Sequence, residues 1–447
     1  MSDIARRLEQ LPFCGFHKKL LVIGGLGYTF DAMETSSLAF VLPVISKVWG
    51  LTSFETGLIA SSTSTGVLFG ALFAGLCGDY FGRRVVMMSA LMLFCLASLA
   101  SAGMEHWQSF YVCRLFVGFG GGAESAIVAP FLSEFIAKKY RGAFIGSLAG
   151  FFSFGYILSA ILGNLLVPHF AEGWRYMLII TSLPVFILLW WRRTLPESPL
   201  WLQSCGRHDE ARATMRNIEQ AVLREGLRPG QTRSISVSGE SLPAQYNFLT
   251  RLKAIWSAEL WKTTMMSWMM WFSVAFSYYT FSTWFPTLLV QTGMELKKSL
   301  GYSLLMYVAQ LPGYFSVAYL NQRFGQRKTL ISYMCLSALS AALLAVSHDP
   351  LAVVSAGISL SFFMNGAFGG VYAYTPGLFP TSLRATGMGA SSSFGRLGAI
   401  AAPIMVGILF PVMGFAGVFS ITTAVLIIGA AALLIPGAST KRASPES

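Results

Sequence analysis

Five ionisable side chains sit inside long apolar stretches of this 447-residue sequence: Asp31, Glu34, Arg114, Glu124 and Arg396. A charge at the centre of a bilayer costs about 2.5–3.5 kcal/mol on insertion scales, so each of the five calls for a partner or a task. Glu34 stands one helical turn beyond Asp31, on the same face. A carboxylate that gains and loses a cationic neighbour as a protein changes shape can take up and release a proton. Arg396 keeps its charge at any physiological pH and grips carboxylates in a two-pronged fork. The alternatives are a static structural pair for Asp31 and Arg114, and for Arg396 a role as counter-ion to Glu124 or Glu34. Ten residues further along the same run than Arg114, about 15 Å at 1.5 Å per residue, Glu124 suits substrate binding, proton relay or capping of a hydrogen-bond network.

The elements that must carry these groups are membrane helices. Hydrophobic residues make up 54% of the chain and charged ones 12%, against roughly 25% charged in soluble domains. Twelve apolar runs are long enough to span a bilayer, at 20–44, 56–77, 84–103, 108–134, 142–167, 174–193, 262–290, 299–320, 328–347, 351–377, 385–410 and 413–436. Backbone groups in lipid must bond within their own segment, which predicts helices. Of the 32 Lys and Arg, only Lys47, Arg175, Lys297 and Lys298 fall outside when the N-terminus is placed in the cytoplasm, while Arg114 and Arg396 lie within runs. The positive-inside rule therefore predicts cytoplasmic termini, in the inner membrane of a cell. The net charge of +12 reflects those inner loops rather than a nucleic-acid partner. Lys18 and Lys19 precede a long first run with no small-residue cleavage site, so that run reads as a retained helix.

A repeat organises the chain. Gly75-Leu-Cys-Gly-Asp79-Tyr-Phe-Gly82-Arg83-Arg84 is echoed 243 positions later by Asn321-Gln322-Arg323-Phe324-Gly325-Gln326-Arg327-Lys328. Glu134 and Arg141 have counterparts at the same offset in Gly377 and Arg384. The constant offset predicts two six-helix halves, 1–193 and 262–436, a frequent plan for secondary transporters. A cytoplasmic linker at 194–261 joins them, with charges at helical spacing up to about Arg224 and a flexible stretch at 229–243; residues 437–447 form a tail.

These motifs resemble the major facilitator superfamily. Gly75-x-x-x-Asp79-x-x-Gly82-Arg83-Arg84 is similar to its loop 2–3 signature, and Arg114-x-x-x-Gly118-x-Gly120-x-Gly122 to its fourth-helix signature. Pro196-Glu197-Ser198-Pro199-x-Trp201-Leu202 narrows the likeness to the branch of sugar porters, organic-ion transporters and aromatic-acid symporters. Gly27-Tyr-Thr-Phe-Asp31-Ala-Met-Glu34 and Tyr374-Thr-Pro376-x-Leu-Phe-Pro380-Thr-x-x-Arg384 most resemble bacterial niacin and aromatic-acid proton symporters.

The resemblance implies an all-α membrane protein of twelve transmembrane helices in two pseudo-symmetric halves. It also implies an Asp31–Arg114 pair in proton coupling, and an Arg396 matched by Arg in organic-anion transporters of the branch. Two departures stand out: Gly377 where the family has Glu, and Gln322 at the second-half equivalent of Asp79. The inner gate should then rest on Asp79, Arg83, Arg84, Glu134, Arg141 and Arg384.

The function expected is proton-coupled uptake of a small aromatic or organic carboxylate such as nicotinate. Arg396, Tyr279, Asn365, Tyr28, Trp271 and Tyr372 are the candidate substrate contacts, and Asp31, Glu34, Arg114 and Glu124 the candidate proton couplers. A sugar or organic-cation porter, a uniporter, and a membrane receptor for the same ligand are the competing readings. The glycines at 118–122 lack the Lys-Ser or Lys-Thr of a phosphate loop. Six scattered cysteines, and five histidines at helix ends or in loops, show no metal spacing, so neither cofactor nor metal is expected. No catalytic constellation is visible, and an enzyme is not expected.

Overall fold

The computed structural model describes residues 3–183, 195–227, 248–347, 349–380 and 383–435. Fifteen helices cover most of them, and no strand occurs among the described residues. A short helix α1 (Asp3–Glu9) precedes the first long ones: α2 (Gly15–Val48), α3 (Ser53–Phe81), α4 (Arg83–Ala102), α5 (Trp107–Ser133), α6 (Lys138–Leu166) and α7 (Gly173–Ser182). The linker holds α8 (Pro199–Ser204), α9 (His208–Arg224) and α10 (Phe248–Ile255). Then follow α11 (Trp261–Gln291), α12 (Leu296–Phe324), α13 (Gln326–Val346), α14 (Pro350–Leu378) and α15 (Arg384–Ala432). The expected run at 174–193 is described only through its first part, α7; residues 229–243 and 437–447 lie outside the described residues.

Seven of these helices are both long and apolar enough to cross a membrane. Others of similar length carry polar groups inside them: α2 is 34 residues long and includes Asp31 and Glu34. The last element joins two expected spans. Its backbone leaves the helical region at Gly414 (φ 64°), just after Pro411, so one chain segment turns between two helices without a loop.

The sequence repeat is also a backbone repeat. Gly82 precedes α4 with φ 97° and ψ 144°, and Gly325, at the 243-residue offset, precedes α13 with φ 85° and ψ 148°. That conformation is close to glycine-only. Each glycine is the single residue between the end of one helix and the start of the next.

The chain separates into two compact units. One comprises 1–41 and 62–236, the other 42–61 and 237–447. In the first, α1 and α9 close on each other through Ile4, Leu8 and Leu11 against Ala211, Met215, Ile218 and Val222. Arg7 forks onto Glu219 at 2.9 and 2.7 Å. In the second, Arg327 at the start of α13 donates twice to the Leu433 carbonyl at the end of α15, at 2.9 and 2.6 Å. The start of α3 belongs to this second unit because small residues admit it to α15. A Cβ on Gly57 would lie 2.7 Å from the Pro403 carbonyl oxygen and 3.4 Å from Gly407 Cα.

Candidate functional site

The most buried charges belong to the first unit. Arg114 on α5 and Glu34 on α2 both have 0% exposure. Arg114 Nη1 donates to Glu34 Oε1 at 2.5 Å, and Nη2 reaches the Glu34 carbonyl at 3.4 Å. Ser98 of α4 donates to the same Oε1 at 2.6 Å, and Thr181 of α7 donates to Oε2. Four helices thus converge on one carboxylate, whose two oxygens face a guanidinium and two hydroxyls.

The resemblance implied Asp31 as the partner of Arg114; the carboxylate bonded to that guanidinium here is Glu34, one turn further along the same helix. The reason is register. Helices α2 and α5 run in opposite directions, so Glu34, one turn along α2, meets Arg114 near the start of α5. Asp31 falls instead beside Gly121, seven residues further along α5, where a Cβ would lie 2.7 Å from Asp31 Oδ1. Glu124 is buried on α5, three residues beyond that glycine.

A second charged cluster forms where α4, the end of α5 and the start of α6 meet the linker. Arg83 pairs with Glu134. Arg141 Nε donates to the Ile136 carbonyl at 2.8 Å. Glu197 accepts the Arg84 backbone N–H at 3.3 and 3.2 Å and the Ser198 N–H at 3.0 Å, while Ser198 Oγ accepts the Trp201 N–H at 3.2 Å. Burial pushes the Glu134 carboxyl above its usual range, against the lowering effect of Ser198, Arg83 and Arg141. The Asp79 side chain lies outside the described residues, and Arg384 is exposed at the start of α15. Glu197 was legible only as part of a family motif. Its partner lies 113 positions away, and no local signal marks it as a cap.

In the second unit an aromatic group joins α11 and α14. Trp271 meets Tyr372 edge-on at 4.8 Å between centroids and Phe368 at 6.4 Å. Tyr278 meets Phe368 at 5.3 Å and Tyr279 at 5.4 Å. Trp271 Nε1 donates to Thr375 Oγ1 at 2.9 Å, which fixes the indole.

Helix α15 packs on the same indole, since a Cβ on Gly395 would sit 3.0 Å from the Trp271 ring. The next residue along α15 is Arg396. Among the described residues Arg396 makes no hydrogen bond or ion pair. The structure therefore brings together Trp271, Tyr279, Tyr372 and Arg396 of the expected contacts.

Two others stand apart from that group. Tyr28 is in the first unit, stacked on Phe152 at 4.5 Å. Asn365 Nδ2 donates to the Gln310 carbonyl of α12 at 2.9 Å, and so ties α14 to α12. Phe368, the hub of the aromatic group, escaped the sequence reading because one phenylalanine among 35 carries no mark.

A model of the sugar (and other) transporter family matches residues 23–444. The chain belongs to that family, within the major facilitator superfamily. It is 36% identical over 446 residues to the niacin transporter NiaP of Acinetobacter baylyi, covering 100% of this chain and 99% of that protein. The benzoate transport protein of the same organism is 26% identical over 410 residues, 91% of this chain and 86% of that one. Among solved structures, the partially occluded inward-open xylose transporter XylE of E. coli matches with a TM-score of 0.74 at 15% identity, covering 93% and 98% of the two chains. That likeness establishes the fold: an all-α membrane protein of the twelve-helix major facilitator type.

Proposed function

We propose that this transporter takes up a small aromatic carboxylate, with nicotinate the favoured member, in symport with protons and by alternating access. The observation that carries the substrate class is the guanidinium of Arg396, unpaired among the described residues and one residue from the turn that packs on Trp271. A cation with no counter-ion among the described residues, next to several rings, suits a flat anion: the fork takes the carboxylate and the rings take the face. The niacin and benzoate transporters similar to this chain are named for ring carboxylates of that kind. For coupling, the reading rests on Glu34. A buried carboxylate tied to one guanidinium and two hydroxyls is a group whose protonation would dismantle the whole arrangement, and Asp31 and Glu124 are the acids placed to pass the proton inward.

The same reading places the protein in the inner membrane with both termini cytoplasmic. The halves 1–193 and 262–436 then move about the substrate, and the Arg83–Glu134 cluster lies at the inner gate.

Binding of nicotinate and of its amide to purified protein tests the substrate class. Arg396→Lys should weaken nicotinate by about 1–3 kcal/mol, because an ammonium cannot reproduce the fork. Nicotinamide should bind the wild type correspondingly less well and lose little more in the variant. Equal binding of acid and amide by the wild type would defeat the aromatic-carboxylate reading.

A further inference from the structure

The imidazole of His17 has no part in the sites above, yet it is 2% exposed and bonded on both nitrogens. The Cys14 backbone N–H donates to Nδ1 at 3.1 Å, which makes Nδ1 an acceptor and places the ring proton on Nε2. Nε2 then donates to the Phe135 carbonyl at 3.1 Å. Cys14 is the residue before α2, and Phe135 lies just past the end of α5. One neutral ring therefore joins the ends of the two helices that carry Glu34 and Arg114.

We propose that His17 is an acid-released pin: protonation at Nδ1 unfastens the start of α2 from the end of α5 and slows the carrier when the adjoining compartment acidifies. The regulatory half of this statement rests on the transporter reading; the pin itself does not. A proton on Nδ1 points at the Cys14 N–H, and donor then faces donor, so the ring must leave its place.

The neighbouring elements offer one destination. Glu225, at the end of α9, accepts the Gly15 N–H at 2.8 and 3.0 Å, and its charge acts on the imidazole. The other titratable groups around the ring are committed or exposed. Cys14 Sγ lies 3.2 Å from Nδ1, Lys18 and Lys19 are exposed on α2, and Tyr140 of α6 packs on Phe13. Glu134 and Arg141 are held by Arg83 and the Ile136 carbonyl. An imidazolium turning to Glu225 would compete for the carboxylate that caps α2.

Burial holds the pinned ring below the ordinary 6.5, against the raising influence of the Phe135 carbonyl and of Glu225. The sign follows. As pH falls below 6.5, the released ring takes a proton that the pinned ring refuses, so pinning weakens by up to about tenfold per pH unit until the lowered value is reached.

Hydrogen exchange of the amides at 14–18 in the full-length protein, corrected for intrinsic rates, should lose about tenfold protection between pH 7.5 and 5.5. His17→Asn places an amide oxygen where Nδ1 stood but cannot be protonated, and its protection should stay constant over that range. In vesicles with equal pH on both sides, nicotinate counterflow should fall several-fold more in the wild type than in the variant. Should the variant not fold, the imidazole 15N resonances of the wild type decide: a neutral Nε2–H ring titrating below 6.5 is expected, and a ring charged at pH 7 or titrating above 6.5 overturns the pin. The same loss of protection in His17→Asn, or none in the wild type, overturns it too. A normal exchange result with no counterflow would instead count against the transport substrate.

Discussion

Glu34→Gln would keep the shape of the buried pair and remove its charge, leaving Arg114 desolvated against two hydroxyls and an amide. Breaking a buried pair on one side costs about 3–5 kcal/mol, so the variant should unfold at a clearly lower temperature than the wild type. It should also lose proton-driven accumulation while retaining exchange of labelled for unlabelled substrate. Full uphill uptake by Glu34→Gln would hand the coupling role to Asp31 or Glu124. The types of these residues were legible, since an acid and an arginine inside apolar runs announce themselves. Which acid meets the arginine was not. Asp31 and Glu34 share a face one turn apart, and only the relative register of two antiparallel helices separates them.

At the scale of the element, the start of α4 illustrates what local patterning misses. Gly82 supplies no capping side chain, and the first turn of α4 carries Arg83 and Arg84 but no acid. The carboxylate that complements the helix dipole comes from Glu197, beyond three intervening helices. Glu197→Gln should therefore destabilise that end by about 0.5–2 kcal/mol, read as faster trypsin cleavage at Arg83 and Arg84. Unchanged cleavage would mean the cap contributes nothing.

The two equivalent glycines offer an internal comparison. Ala at either position adopts a disfavoured backbone and costs about 1–3 kcal/mol. Gly82→Ala should cost more than Gly325→Ala, because its Cβ would meet Glu197 at 3.0 Å and Trp201 at 3.2 Å, whereas nothing lies within 4 Å at Gly325. Thermal melts of the two single variants check that order.

Across the whole molecule, the repeat was the legible part. A constant offset in sequence requires equivalent turns, and Gly82 and Gly325 share their dihedral angles accordingly. The run of apolar segments gave the helices, because lipid leaves the backbone few alternatives. What could not be read was that residues 42–61 pack with the second unit, because that depends on small residues meeting across distant segments. Gly407→Leu should push the start of α3 off α15, since even a Cβ there would collide with the Ser53 carbonyl. Thiol reagents should then label a cysteine placed at Ser53 faster than in an otherwise identical protein with Gly407 intact, and substrate uptake should fall. Equal labelling would show that the seam tolerates separation.

The same backbone contact at Gly57 bears on insulation. A carrier driven by an ion gradient sits in the membrane as a resistor in parallel with the cell's energy supply, and any standing file of water through it is a short circuit. At Gly57 a Cβ would already press on the Pro403 carbonyl oxygen and lie 3.4 Å from Gly407 Cα, so the backbones approach there with no side chain between them. On the proton-symport reading proposed above, the missing side chains are electrical as much as mechanical: a bulkier pair should leave a protein that still binds its substrate but leaks protons when none is present.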